Sequence, residues 1–245
     1  SLRAYVIDNK ELEEAAGGGA DCHAQAKGHW IVDTPISTPM SVYEVYKSSR
    51  KHWGINAIGT MIVEIQLFDD TVGKGYGISI GGEPGCYIVE NHLSRFIEGQ
   101  DIHNIELMWD QMFKATTNYG RKGLVIQAIS AVDLALWDLF GKLKKEPVYN
   151  LIGGKCKNKI PIYATTARPD IAQSLGFVGA KVPLPYGPGD GEKGMKGNID
   201  RLINCVKSIK PRPNGVKFPL MIDCYMSLTV NYTLDLLNRI KSEII

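Results

Sequence analysis

The chain has 245 residues, 44% of them hydrophobic, which is enough for one large domain or two ordinary ones with a substantial core. Its 28 basic and 26 acidic residues give a net charge of +2 with no long block of one sign, which argues against a nucleic-acid or membrane-surface partner. Five cysteines, at positions 22, 86, 156, 205 and 224, are odd in number, scattered and without a CxxC pair, which argues against a disulfide framework or structural zinc, and a reducing, cytoplasmic location is expected. No apolar stretch is read as approaching the about 20 residues of a membrane span, and the N-terminus shows no signal-peptide apolar core.

Residues 3–7 read as a first short strand. Gly17-Gly-Gly-Ala-Asp-Cys-His23 cannot hold a regular element, so residues 17–39, with His23, His29 and Trp30, read as a long irregular loop of the lid type. Residues 59–80 alternate as a hairpin with a turn through Asp69-Asp70. The Gly73-x-Gly75-x-Gly77 spacing lies inside a strand and opens no helix, so it does not read as a phosphate loop. Helical spacing follows over residues 84–99 and 105–113. Residues 123–141 are apolar around nearly the whole circumference, which predicts a buried helix in which Asp133 and Asp138 bond to neighbouring groups. A further turn at 147–151 ends at Gly153-Gly154, where a domain boundary is placed.

Beyond it the pattern changes to strand 160–164, helix 169–175, strand 178–182, a Gly/Pro-rich loop 183–197, helix 199–209, strand 218–222 and helix 230–244. Three successive βα units predict a parallel sheet. The expected fold is therefore an α+β domain over residues 1–154 followed by α/β over residues 155–245. The apolar run Leu220-Met-Ile222 reads as a strand buried on both faces, and it ends in Asp223. Strand carboxyl ends are where parallel α/β proteins place ligands and metals, while an ordinary capping role for Asp223 competes with a functional one.

Several stretches carry a resemblance. The Ala128-Ile-Ser-Ala-Val-Asp-Leu-Ala-Leu-Trp-Asp-Leu139 helix, the Pro147-Val-Tyr-x-Leu-x-Gly-Gly154 exit and the βα series resemble the mandelate-racemase-like branch of the enolase superfamily. Gly17 to His23 with His29-Trp30, Ala167-Arg-Pro-Asp170, Gly176-Phe-Val-Gly-Ala-Lys-Val-Pro183 and Asp223-Cys-Tyr-Met-Ser227 narrow it to acid-sugar dehydratases of the L-rhamnonate type. The resemblance implies a capping domain followed by the first three βα units of an incomplete TIM-like (β/α) barrel. It also implies a Mg2+ enzyme that takes the proton α to a sugar-acid carboxylate and expels the 3-hydroxyl as water.

Residue by residue, the resemblance makes Asp223 a metal ligand and His23 and Arg50 substrate contacts. Their plainer alternatives are an exposed loop histidine and a surface charge. His29 is a further substrate contact, with lid packing as its competitor. Lys181 ends the second strand of the series, where relatives often hold a Lys-x-Lys pair; Pro183 replaces the second lysine, so Lys181 is expected as an electrostatic or substrate contact and not a base. Arg168 is a similar candidate. Two further carboxylate ligands and a His–Asp base are implied for the family, and in this sequence they are expected beyond Ile245. The chain by itself is then expected to be inert, and a degenerate homologue acting as a binding or partner subunit is the competing reading. A small-molecule sugar acid and a symmetric homo-oligomer are the expected partners.

Overall fold

The computed structural model describes residues 1–7, 36–47, 58–68, 72–212 and 215–244. The chain divides into two compact units, one holding residues 1–15 and 54–158 and the other residues 16–53 and 159–245. Residues 36–47, which the sequence reading groups with the first domain, thus pack with the second unit.

The first unit is built on strands β1 (Leu2–Ile7), β2 (Thr60–Gln66) and β3 (Lys74–Ile80), ordered β1-β2-β3 and antiparallel throughout. The alternation that predicts the hairpin puts Met61, Val63 and Ile65 on one buried face. Helices α1 (Gly82–Asn91), α2 (Ile105–Thr116) and α3 (Leu124–Lys144) supply the rest of this core, through Val89, Met108, Met112, Ile129, Val132, Leu136 and Leu139 among others. Helix α3 approaches β3 so closely that a Cβ built on Gly77 would stand 1.8 Å from the Ala131 carbonyl oxygen, and one on Gly75 would stand 2.2 Å from that of Ala135. The strand glycines are therefore there to admit a helix backbone.

On each free edge of this sheet one backbone donor is taken by a helix carboxylate. Glu90 Oε1 of α1 accepts the Ala4 N–H at 2.9 Å on β1, and Asp138 Oδ2 of α3 accepts the Tyr76 N–H at 2.8 Å on β3. Covered donors cannot template another strand. Lys142 holds Asp138 in place from one turn on, at 2.6 Å, and also donates to the Lys74 carbonyl oxygen at 2.7 Å. Asp133 is the other acidic residue of α3. Burial, then the charge of Glu106, raises its pKa against a hydrogen bond from Trp137.

Two expectations for α3 need correcting. Its circumference is not wholly buried, since Leu134 is 51% exposed; the buried stripe is the small-residue face on β3 and its flanks. At 21 residues it is also long and apolar enough to cross a membrane by length and composition alone, although Ala128, Ala131, Val132 and Ala135 are wholly buried in the first core.

The second unit carries a parallel sheet ordered β4 (Ala164–Thr165), β5 (Ala180–Pro183) and β6 (Leu220–Asp223). Helices α4 (Pro169–Ser174), α5 (Gly191–Ser208) and α6 (Val230–Ile244) connect and follow these strands. Val182, Leu184, Met195, Leu202 and Leu236 form one cluster, and Ala164, Ala172, Ala180 and Phe218 another. The expected βα alternation is present, with three differences. Strand β4 is only two residues long, because Ile160, Ile162 and Tyr163 are exposed and ladder pairing starts at Ala164. Helix α5 begins at Gly191, inside the stretch expected to be loop. Its glycines mark a packing surface, since a Cβ on Gly197 would stand 2.6 Å from the Tyr186 ring. Finally, β6 is half-buried along its whole length, not buried on both faces; among the described strands it pairs on one side only, with β5.

Candidate functional site

Pleat alternation sorts the side chains of the parallel sheet. Ala180 and Val182 turn to the helix side, where they are wholly buried. Their neighbours Lys181 and Pro183 turn the other way, and the register pairs Thr165 with Lys181, Lys181 with Met221 and Pro183 with Asp223. Thr165, Lys181, Met221 and Asp223 consequently share the face away from the helices, with Asp223 at its carboxyl end.

Asp223 uses both oxygens. Oδ1 accepts the Tyr225 N–H at 3.1 Å, closing an Asx turn, and Oδ2 lies 3.0 Å from Lys181 Nζ. The two readings of this residue are thus both visible: it organises the turn behind it and still presents one oxygen to a cation. Tyr225 and Met226 follow with φ of 41° and 60°, two successive non-glycine residues in the left-handed region, each at a cost on the order of 1 kcal/mol. Ser227 stitches this turn by donating its N–H and Oγ to the Cys224 carbonyl oxygen at 2.8 and 2.7 Å.

Lys181 and Asp223 side chains are 29% and 24% exposed, so the pair is only partly screened. The carboxylate raises the Lys181 pKa, an effect that desolvation opposes without cancelling. Paired in this way, the Lys181 ammonium is a hydrogen-bond donor.

Arg168 stands at the N-terminus of α4, just past the end of β4. Its Nε and one terminal nitrogen grip Asp170 at 3.0 and 2.6 Å. That bidentate pair raises the Arg168 pKa and holds Asp170 below the usual carboxylate range. The guanidinium is thus partnered within its own turn while its side chain stays 56% exposed. His23, His29 and Arg50 lie outside the described residues. Among the described residues no group of three or more His, Cys, Asp or Glu side chains comes together as a metal site. Among those residues Asp223 has no second or third carboxylate or imidazole grouped with it.

Sequence reasoning missed the contribution of residues 36–42. Thr38-Pro39 opens a 3-10 helix, Pro39–Val42, in which Ser41 Oγ accepts the Thr38 N–H at 3.1 Å. Ser37 just before it donates its N–H to the Leu184 carbonyl oxygen at 2.8 Å, directly beyond β5. The local signal was Thr-Pro with Ser three residues after the Thr; the docking partner, about 147 residues away in sequence, left none.

Comparison with known proteins places these features in context. Residues 54–153 match the family model "Mandelate racemase / muconate lactonizing enzyme, N-terminal domain". The L-rhamnonate dehydratase of Saccharopolyspora erythraea is 52% identical over 216 residues, spanning 88% of this chain and 53% of the relative. Two crystal structures of the dehydratase from Gibberella zeae align over 100% of this chain. One covers 56% of that protein at 42% identity and a TM-score of 0.83; the other, complexed with Mg, covers 57% at 43% identity and 0.85. The chain spans about half the length of the relatives it matches.

Proposed function

The chain belongs to the enolase superfamily, and on that premise we propose that the intact gene product is a magnesium-dependent dehydratase of a sugar acid, with L-rhamnonate converted to 2-keto-3-deoxy-L-rhamnonate. The observation that carries this reading is the placement of Asp223: a carboxylate at the carboxyl end of a parallel strand, fixed through Oδ1 and facing a cation through Oδ2. The likeness to the L-rhamnonate dehydratases supports the substrate, and the magnesium complex of one of them supports the metal.

Hard oxygen donors suit Mg2+, and Asp223 is such a donor. One carboxylate does not make an octahedral site, so the described residues do not hold the ion by themselves. The other ligands and the base come, in this proposal, from residues other than the described ones. Magnesium, when bound, supplies Lewis acidity toward a substrate carboxylate.

What the chain itself contributes is orientation and charge. The Asx turn holds one face of the Asp223 carboxylate, so the ligand oxygen is not free to rotate. Lys181, kept protonated, balances that carboxylate and offers N–H donors toward an anionic substrate. Arg168 can serve a substrate only by releasing Asp170. His23, Arg50 and His29 remain proposed substrate contacts on the strength of the sequence resemblance. The free thiols Cys86, Cys156, Cys205 and Cys224 support a reducing, cytoplasmic setting, and a homo-oligomer belongs to the same proposal.

The test is to incubate the intact gene product with Mg2+ and a panel of acid sugars and to assay 2-keto acid formation. Turnover of L-rhamnonate is the expected result. Turnover of a different acid sugar, or its epimerisation, would replace the substrate assignment. No turnover of any would favour an inert binding or partner subunit, a reading to which the lone carboxylate lends its one supporting observation.

A further inference from the structure

One buried hydroxyl at the ends of β5 and β6 takes no part in the chemistry above. The Ser37 side chain is wholly buried, and its Oγ has no hydrogen-bond partner among the described residues. An orphaned hydroxyl of this kind costs on the order of 1–3 kcal/mol, so its position is enforced by what surrounds it. The surrounding backbone forms a relay. Ser37 N–H donates to the Leu184 carbonyl oxygen at 2.8 Å, and Leu184 N–H donates to the Asp223 carbonyl oxygen at 2.9 Å. The Ser37 side chain is lodged against Gly187, where a Cβ would stand 2.6 Å from Ser37 Oγ and 3.6 Å from Ser227 Oγ. One residue therefore touches the loop after β5 and, through Leu184, the backbone of Asp223.

We infer that Ser37 is a positioning residue: it latches residues 36–42 onto the carboxyl ends of β5 and β6 and so sets where the Asp223 carboxylate stands. The consequence for metal binding rests on the reading of Asp223 as a ligand. The latch itself does not, because it is a statement about backbone hydrogen bonds.

A size exchange tests it. Gly187 has an extended backbone, with φ of −138°, so alanine is conformationally acceptable there. Its Cβ would collide with Ser37 Oγ, whose short side chain has little room to yield. In Ser37→Ala/Gly187→Ala the colliding atom is gone, and the Ser37 Cβ at 3.6 Å is an ordinary contact. The intact gene product, its Gly187→Ala variant and the double variant are compared by amide hydrogen exchange at residues 37 and 184 and by calorimetric Mg2+ titration. Gly187→Ala should speed exchange at both amides by about tenfold or more and weaken Mg2+ binding by about tenfold; the double variant should return both to within about threefold of wild type. If Gly187→Ala does not fold, Ser37→Thr, which crowds the same contact with one methyl, takes its place. Faster exchange at residue 37 with unchanged exchange at Leu184 and unchanged Mg2+ affinity would overturn the inference, as would failure of the double variant to restore them. If the wild-type protein binds no Mg2+, the ligand reading of Asp223 falls separately, and rescue of the Leu184 exchange rate alone decides the latch.

Discussion

The two sheets of this chain solve the same packing problem in opposite ways. In the first unit one N–H on each edge strand of an antiparallel sheet is taken by a helix carboxylate, one face is filled by Met61, Val63 and Ile65, and α3 lies on the glycines of β3. In the second, β6 stays half-buried, and Lys181 and Asp223 stand together at the carboxyl ends of β5 and β6. The first sheet is a packed scaffold; the second carries the strand-end carboxylate Asp223. Functional sites and stable cores make different demands on the same residues, and the proposed metal ligand Asp223 belongs to the second unit.

The comparison is sharpened most by Asp223→Asn. On the proposed function it should lower kcat/KM of the intact gene product roughly 10³-fold while changing stability by no more than about 0.5 kcal/mol, as steady-state kinetics and urea denaturation would register. The opposite profile belongs to Gly77→Ala. Its Cβ would meet a helix backbone that cannot move alone, so a stability loss of roughly 3 kcal/mol is expected in denaturant unfolding, with Mg2+ affinity unchanged if the protein still folds.

Smaller effects follow the titrating groups. Because Asp223 raises the Lys181 pKa in the folded state, the pair contributes fully below the unfolded lysine value of about 10.4, and that contribution fades as pH rises through the higher folded value. Lys181→Met should therefore cost about 0.5 kcal/mol at neutral pH, with a difference from wild type that narrows only in alkali, as denaturation across pH would show. Asp133 also loses stability as pH rises, but its charged form is the unfavourable one. Its folded pKa is raised, so its ionised form works against folding at neutral pH and the handicap fades as pH falls toward that value. Asp133→Asn should leave stability equal or higher by a few tenths of a kcal/mol at pH 7, a margin that shrinks in acid.

Much of the architecture was legible in the sequence because it rests on local period: the alternation of residues 60–66, the apolar α3 and the three βα units. Asp223 was legible for the same reason, as a carboxylate ending an apolar run. What escaped depends on distant partners. Gly75 and Gly77 look like strand defects until α3 lies on them, and Gly197 looks like loop until the Tyr186 ring covers it. The Lys181–Asp223 pair joins residues on separate strands, and only the ladder register puts them on one face. Ser37 gave no local sign of docking beyond β5, and Arg168 none of its grip on Asp170 beyond their proximity.

Calorimetric titration of the intact gene product with Mg2+, beside its Asp223→Asn variant, tests the central claim most directly. The account predicts that wild type binds the ion and that the variant binds it at least about 100-fold more weakly, with unchanged thermal unfolding. Equal affinity in the two proteins would contradict it and return Asp223 to the role of a turn residue.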